Sequence, residues 1–296
     1  MQIYFGLIVC FSQALLTSLV ISQEPDRIWL EPKRPTSFES DWNARGVQKV
    51  TAKIIEFDGT KISYVVTGDE AETVASSARV LWIERGDVDD LEAEAIQFFA
   101  DGQYSESLTK LPIILKQRPP VWRQQWLTMM AANAAWKSRR SKIALELVSQ
   151  LDRRPLPLMT ISWLPIAWKN GTQPSDAIAQ AKQRLEDPSL AVQLVAASWL
   201  LSSANRSEAI DTLKTLQRGP KPNIAALAEA LLWRSATPPQ VTQQYKSWQK
   251  KIDGMPMVLQ TGPTITLIDK LRSAGLSDAA DPLQWSLELT PIHPVN

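Results

Sequence analysis

Side chains that could perform acid–base, nucleophilic or metal chemistry are scarce in this sequence. The one histidine, His293, lies three residues before the C-terminal Asn296. A Ser–His triad, a zinc site or a histidine general base requires a ring that is held rigidly, whereas chain termini fray easily. We therefore interpret His293 as an exposed tail residue without a catalytic role.

One acidic run offers the densest group of carboxylates. It lacks the glycine and the bidentate glutamate that a calcium loop requires at fixed spacings. Carboxylates at the N-terminus of a helix are stabilised by the helix dipole, so we interpret the run as the start of a helix. The run consists of Asp87, Asp89, Asp90, Glu92 and Glu94.

Linear motifs for other chemistry are also missing. The sequence contains no glycine-rich phosphate loop, nucleophile elbow, CxxC pair or HExxH motif. Paired-carboxylate glycosidases have no linear motif, so that class stays open. The sequence predicts no catalytic residue, no cofactor site and no metal site.

Tryptophan is unusually frequent, with 12 residues in the chain. Trp136, Trp168, Trp199 and Trp233 follow one another at intervals of 32, 31 and 34 residues, and Phe98 precedes them at a similar phase. Large aromatic side chains dominate core packing, so we interpret these five as a ladder between helical pairs. The alternative is a tryptophan-lined groove for a peptide or a glycan.

A second group of residues suggests a surface that binds a partner. Two tryptophans lie one helical turn apart beside an arginine, which makes them candidates for an exposed pair. A basic run at residues 137–154 is interpreted as the solvated end of a helical hairpin. The candidate partner-binding surface consists of Trp122, Arg123, Trp126, Arg139 and Arg140.

Length and charge set broad limits on class and partner. The 296 residues suffice for one large or two modest domains, and 44% hydrophobic with 21% charged residues is ordinary for a folded protein. Lys+Arg 32 against Asp+Glu 31 leaves a net charge of +1. No field of the whole protein attracts nucleic acid or an anionic membrane, so we predict no nucleic-acid partner.

The N-terminus has the pattern of an export signal. Residues 3–21 are almost wholly apolar, and polar residues follow at Gln23 and Glu24. Val20 and Ser22 suit a signal peptidase and predict a mature start near Gln23. The segment lacks Lys and Arg, and about 19 residues just span a bilayer, so an uncleaved anchor is the alternative. We predict an exported protein, periplasmic or extracellular, that contacts membrane only if this segment is retained.

Cysteine usage agrees with a fold that depends on packing. Cys10 is the only cysteine and lies inside the predicted signal segment. Cleavage leaves a mature chain without disulfides, thiolate nucleophiles or cysteine-based metal sites.

Residues 23–86 alternate with the period of two that is typical of strands. Strands are predicted at residues 47–57, 61–67 and 79–84, with Asp58-Gly59 as a turn between the first two. They form a small sheet or a partly closed barrel. Residues 27–41 are expected to cover a sheet edge or to act as an entry arm.

From Asp87 onward the period changes to 3.6 residues and predicts twelve helices in about six hairpins. A serine recurs at the start of the second helix of successive pairs, at Ser105, Ser141, Ser175 and Ser207 and then at Ser277. The intervals are 36, 34 and 32 residues and then 70. A serine in this place can cap its helix. The predicted helices span residues 88–100, 103–117, 121–137, 141–151, 157–169, 175–186, 189–203, 206–217, 223–235, 239–251, 259–273 and 276–288.

The first hairpin resembles a tetratricopeptide repeat (TPR), which has a period of about 34 residues. Ala95 is the small residue of its first helix, and Gly102 ends that helix in a left-handed conformation that a β-carbon opposes. Tyr104 follows in the turn, and Pro119 ends the unit. Later units keep small residues and prolines but lack the Gly-x-Tyr turn, so other helical-hairpin solenoids stay open. The resemblance implies a mainly α fold, a right-handed solenoid of about six repeats over residues 87–296.

The segment at 23–86 resembles small β modules that follow the signal peptide in exported bacterial proteins, and also small Src-homology-type barrels. The residues that carry the resemblance are Asp58-Gly59 and the array around Val80 and Ile83. The likeness implies an adaptor module without an activity of its own.

Three functional hypotheses follow. The first is a non-enzymatic exported scaffold that binds a protein or peptide partner through the helical-repeat surface. The second is an accessory protein of the cell envelope that binds or processes glycan through tryptophan stacking. The third is a structural subunit of a larger envelope assembly.

Overall fold

The structure is a computed structural model that describes residues 24–32 and 46–290. The predicted signal segment at residues 1–22, together with Cys10 and His293, lies outside this part. The described chain begins with five strands and continues with twelve α-helices. The strands are β1 (Asp26–Leu30), β2 (Gln48–Phe57), β3 (Lys61–Val66), β4 (Glu72–Ser76) and β5 (Val80–Glu84).

The strands form one small antiparallel sheet in the order β4-β3-β2-β1-β5. Alternate residues turn inward, so that Ile28, Ala52 and Ile62 are wholly buried. The predicted turn between β2 and β3 is confirmed, because Asp58 Oδ1 accepts hydrogen bonds from the backbone N–H of Thr60 at 2.6 Å and of Lys61 at 2.9 Å.

Two features of the sheet differ from the sequence-based prediction. Three strands were expected and five are present, with β4 at one edge. Residues 27–41 were expected to cover a sheet edge or to act as an entry arm. This prediction is wrong for residues 27–30, which lie inside the sheet in β1 between β2 and β5, while residues 33–41 lie outside the described part. A strand of five residues has too few alternations to stand out, and its pairing on both sides decides its structure.

The described part is mainly helical after the sheet, and each of its twelve α-helices overlaps a helix predicted from the period of 3.6 residues. The agreement includes the helices that follow proline breaks, such as α3. The helices are α1 (Asp90–Ala100), α2 (Tyr104–Lys116), α3 (Val121–Lys137), α4 (Ser141–Leu151), α5 (Leu158–Ile161), α6 (Ser175–Gln183), α7 (Leu190–Leu200), α8 (Arg206–Gln217), α9 (Pro222–Leu232), α10 (Pro238–Asp253), α11 (Thr261–Ser273) and α12 (Ser277–Leu289).

The fifth helix is much shorter than predicted. Residues 157–169 were expected to be helical, yet α5 ends at Ile161. Pro165 lacks an N–H and disfavours helical geometry at the residue before it, which favours an end of the helix before this point. We call the stretch without regular structure, residues 162–174, the irregular segment.

Side chains from neighbouring helices satisfy the backbone of the irregular segment. Its carbonyls accept hydrogen bonds from four different side chains, and Ala167 N donates to Ser198 Oγ at 3.0 Å. Buried backbone groups need such partners, which explains how an irregular stretch can lie inside the fold. The four donors are Asn133 Nδ2 to Trp163 O, Trp199 Nε1 to Pro165 O at 2.8 Å, Arg234 Nη1 to Ala167 O at 2.6 Å and Thr266 Oγ1 to Trp168 O at 3.0 Å.

The capping role predicted for the recurring serines is wrong. Helices α4, α6 and α12 begin at the serine itself, while Ser105 and Ser207 are second residues of α2 and α8. None of these five helices has a side-chain hydrogen bond at its cap. Each serine has already entered the helix, where its hydroxyl cannot occupy the cap position.

The same turn joins three of the helical pairs. The predicted left-handed conformation of Gly102 is confirmed at φ 75°, and the equivalent residues after α3 and α11 are Arg139 at φ 61° and Gly275 at φ 76°. In each turn the next N–H bonds to a carbonyl five residues earlier, the closure of a Schellman motif. The three bonds are Gln103 N to Phe98 O at 2.8 Å, Arg140 N to Ala135 O at 2.7 Å and Leu276 N to Leu271 O at 2.9 Å.

The sheet and the helices share one hydrophobic core. A continuous buried cluster contains Ile28 and Ile83 of the sheet as well as Trp126, Leu145 and Leu200 of the helices. The packing therefore crosses the domain boundary predicted between residues 86 and 87. A second buried cluster joins α9 to α12.

Arg139→Gly should stabilise the protein. Arg139 adopts a left-handed conformation that a β-carbon opposes, and glycine relieves this strain. We expect the free energy of unfolding, measured by urea denaturation, to rise by about 0.5–1 kcal/mol.

Arg140→Gly is the matched control, because it removes the same charge one residue later. Arg140 has φ −102°, so glycine there relieves no strain and costs backbone entropy. An equal gain in both variants would show that charge, rather than backbone conformation, controls this turn.

Candidate functional site

The structure buries three members of the predicted partner-binding surface. Trp122, Arg123 and Trp126 are only 5%, 3% and 1% exposed. The expectation of an exposed tryptophan pair is therefore wrong. α3 carries apolar residues around most of its circumference. It lies between the sheet and its neighbouring helices, which shield these side chains from solvent.

Arg123 forms a buried ion pair with Glu92 of α1. Its Nε donates to Glu92 Oε1 at 2.6 Å, and Glu92 is itself 3% exposed. Arg85 adds a second cation at 3.8 Å from Glu92 Oε2. Burial lowers the pKa of Arg123, and the charge of Glu92 opposes this shift. The pair positions α1, α3 and the end of β5.

The sequence contained a signal for this pair. The acidic run was assigned to the dipole at the start of a helix, and Asp89 does cap α1 by accepting a hydrogen bond from Glu92 N at 2.7 Å. Glu92, however, lies three and seven residues before Ala95 and Phe99, which are both buried. This spacing places Glu92 on the buried face of α1.

Aromatic rings join the sheet to the helices beside this ion pair. Trp82 of β5 lies edge-on to Trp126 at 5.3 Å and stacks with Trp163 at 6.0 Å, while Phe57 of β2 lies 6.0 Å from Trp122. The guanidinium of Arg123 sits 4.3 Å from the ring centroid of Trp126. These contacts assign the tryptophans of α3 to the core.

The five aromatics predicted as a ladder occupy different environments. Trp199 and Trp233 are buried, whereas Phe98, Trp136 and Trp168 are half-buried. Trp136 of α3 stacks on Trp199 of α7 at 5.6 Å, so this stack does not include Trp168.

The other members contact residues outside the predicted set. Trp233 stacks on Trp248 at 5.2 Å, and Phe98 lies 5.4 Å below Lys110 Nζ. Trp168 fills the space beside Gly262, where a β-carbon would come within 2.1 Å of its indole. The rings thus pack mainly against neighbouring helices.

A cleft of about 790 Å³ lies between the sheet and the start of α3. Two exposed aliphatic side chains line it, Ile55 of β2 and Val121 of α3. Carboxylates in its wall already serve the fold, because Glu56 pairs with Lys61 at 2.7 Å and Asp26 accepts from Gly86 N at 3.2 Å. The cleft is mixed in charge, and these two of its acidic groups already have partners within the fold.

The remaining predicted residues, Arg139 and Arg140, are exposed in the turn between α3 and α4. Their side chains form no ion pair in the part of the chain that the structure describes. The structure therefore divides the predicted surface into a buried half on α3 and an exposed half in this turn.

Sequence reasoning missed Arg234, which is 4% exposed and lies just after α9. Its Nη1 donates to Ala167 O at 2.6 Å and to Ser198 O at 2.9 Å, and its Nη2 donates to Ser202 Oγ at 2.9 Å. Burial lowers its pKa to about 10. An isolated arginine after an apolar helix is not part of any periodic pattern. Its hydrogen-bond partners lie on distant segments, so the sequence alone does not reveal its role.

Comparison with known proteins shows no relative. No family model, no curated protein and no solved structure matches this chain.

Residues 24–32 and 46–290 contain no cluster of three or more His, Cys, Asp or Glu side chains able to hold a metal ion. No helix within those ranges has the length and apolar character needed to cross a bilayer.

Arg123→Met should lower the free energy of unfolding by about 3–5 kcal/mol, because it leaves Glu92 charged and buried without its closest partner. Urea denaturation followed by tryptophan fluorescence measures the loss. The double variant Glu92→Gln/Arg123→Met removes both charges and should recover about 1–2 kcal/mol of it. If the loss in the double variant equalled the sum of the losses in Arg123→Met and Glu92→Gln alone, a direct coupling of the two side chains would be contradicted.

Arg234→Met should lower the free energy of unfolding by about 2 kcal/mol, because the carbonyls of Ala167 and Ser198 lose these donors. Arg206→Gln is the control, since this exposed residue also removes one positive charge nearby and should change stability by less than about 0.5 kcal/mol. Equal losses would show that local charge, rather than hydrogen bonding to the irregular segment, is responsible.

Proposed function

We propose that this protein is a non-enzymatic exported scaffold that binds a protein or peptide partner along its helical surface. We further propose that the helices from residue 87 onward form a right-handed solenoid of about six TPR-like hairpins. The sheet at residues 23–86 then acts as an adaptor module fixed to the first hairpins.

The observation that carries the proposal is the hairpin geometry that recurs along the chain. The turns at Gly102, Arg139 and Gly275 share a residue with positive φ, and in each the next N–H bonds to a carbonyl five residues earlier. Some first helices of successive pairs also pack on one another, namely α3 on α5, α7 on α9, and α9 on α11. Such side-by-side packing is typical of repeat arrays, which offer extended surfaces for recognition.

The distribution of side chains supports a surface that binds rather than one that reacts. The buried polar groups with clear roles, such as Glu92, Arg123 and Arg234, bind other parts of the fold. Exposed aliphatic residues remain on second helices, with Ile113 on α2 and Ile143 on α4 at 52% and 41% exposure. Exposed apolar groups next to charged turns are ordinary components of protein interfaces.

The glycan alternative requires tryptophan faces that a sugar can reach. Among the tryptophans that the structure describes, Trp285 on α12 is the one classed as exposed, at 55%. Within the described residues, Trp285 is thus the one ring that is largely open to a sugar, which gives the scaffold proposal more support.

We also propose that the protein is exported to the periplasm or the extracellular space. The sequence supports export through the apolar run at residues 3–21, which polar residues follow at Gln23 and Glu24. The backbone just before β1 packs tightly against Gly86, because a β-carbon at Gly86 would come within 2.1 Å of the carbonyl oxygen of Glu24.

Site-specific photo-crosslinking in the native envelope tests the scaffold proposal. A photoreactive amino acid is placed at Ile113 and at Ile143 on the helices, and at Val74 on the edge strand as a control of similar exposure. We expect a protein or peptide adduct from the helical positions and a weaker one, or none, from Val74.

Adducts from Val74 alone, or from no position, would contradict binding along the helices. Mass spectrometry of the captured partner adds a second criterion. Covalent processing of the partner, or of added envelope glycan, that depends on this protein would contradict the non-enzymatic part.

A further inference from the structure

Positive side chains gather where the first helices of successive pairs end. Lys137 ends α3, Lys169 lies in the irregular segment after α5, and Lys270 lies in the last turn of α11. Arg206 follows the end of α7, and Arg234 follows α9. We call these residues, together with Arg139 and Arg140, the basic edge.

Hydrogen bonds between successive turns show that the basic edge is continuous. Trp136 Nε1 donates to Gln173 Oε1 at 3.3 Å, which joins the end of α3 to the irregular segment. Arg234 Nη2 donates to Ser202 Oγ at 2.9 Å, and Asn170 Nδ2 donates to Asp269 Oδ2 at 2.9 Å. The ends of α3, α7, α9 and α11 therefore adjoin one another through this segment.

The basic edge carries unbalanced charge. None of its seven cations forms an ion pair with a carboxylate in the described residues, although cations elsewhere do, such as Lys182 with Glu208 and Lys221 with Asp152. Asp269 is the carboxylate whose charge acts on Arg234 and Lys270, and its Oδ2 accepts from Asn170. One acidic side chain thus faces several basic ones.

The cations also act on one another. Burial and then the neighbouring charge of Lys169 lower the pKa of Lys137. Burial lowers the pKa of Lys270, Asp269 opposes this, and Arg206 and Arg234 lower it further. An anion at this edge would relieve the repulsion.

Helix dipoles account for only part of this arrangement. Lys137 and Lys270 lie near helix C-termini, where a positive charge is favourable. Arg206 is the first residue of α8 and Arg140 precedes α4, which are positions where a cation is unfavourable. The side chains of Lys169 and Arg206 are exposed and donate to no group among the described residues. No contact among the described residues therefore accounts for the charges of Lys169 and Arg206.

We propose that the basic edge binds an acidic segment of the partner, with Lys169 and Arg206 contacting its side-chain carboxylates. This inference rests on the proposed function and names the chemistry of its partner. Packed helices lie about 8–10 Å apart, and side chains on one face of an extended peptide recur about every 7 Å. Acidic residues at every second or third position can therefore reach successive helix ends.

Fluorescence anisotropy at low salt tests the inference on the full-length protein. The probe is an amidated, labelled peptide with Glu alternating with Ser over twelve residues, and a peptide with Gln in place of Glu is the neutral control. We expect the Glu probe to bind and its affinity to fall as salt is raised, because exposed charges are screened.

Matched charge variants locate the site. Lys169→Gln/Arg206→Gln should weaken binding of the Glu probe about tenfold. Lys246→Gln/Lys250→Gln removes the same charge from the exposed side of α10 and should leave affinity unchanged. Equal weakening by both pairs, or no binding of the Glu probe, would overturn the proposal, and so would preferential binding of inorganic polyphosphate.

The native partner separates this inference from the proposed function. If photo-crosslinking from Ile113 and Ile143 captures a partner equally well with Lys169→Gln/Arg206→Gln, the acidic-segment inference is wrong and the scaffold function stands. Loss of capture with this pair alone, and retention with the α10 pair, would support both.

Discussion

The buried pair of Arg123 and Glu92 is the interaction on which the arrangement of sheet and helices depends. A guanidinium that is 3% exposed must find a counter-charge and hydrogen bonds, and here it has both from one carboxylate and lies over the ring of Trp126. Since Glu92 is on α1, Arg123 on α3 and Arg85 just after β5, the requirement fixes three segments at once. The tryptophans that surround it fill the remaining space.

A second constraint comes from the irregular segment. Pro165 ends α5 early, and the backbone that leaves the helix must obtain hydrogen bonds inside the fold. Asn133, Trp199 and Thr266 supply them from three separate helices, and Arg234 supplies another from the segment just after α9. The break thereby links neighbouring hairpins through polar contacts in addition to apolar packing.

These two constraints separate the polar groups that build the molecule from those free to recognise something else. Arg123 and Arg234 are buried and form internal contacts. Lys169, Arg206 and the turn at Arg139-Arg140 face solvent. Because the ends of α3, α7, α9 and α11 adjoin one another through the irregular segment, cations that are far apart in the sequence become neighbours. The proposed scaffold would gain from them an electrostatic preference for an acidic partner.

The amino-acid sequence by itself determined the local structure: a strand region followed by twelve helices, the turn at Asp58 and the left-handed glycine at Gly102. These follow from period, proline and glycine, which act over a few neighbouring residues. Only the tertiary structure decided that β1 lies inside the sheet, that Trp122 and Trp126 are covered, that Glu92 faces Arg123, and that Arg139 adopts the conformation expected of glycine. Burial and partner choice depend on segments tens of residues apart, and no local pattern contains that information.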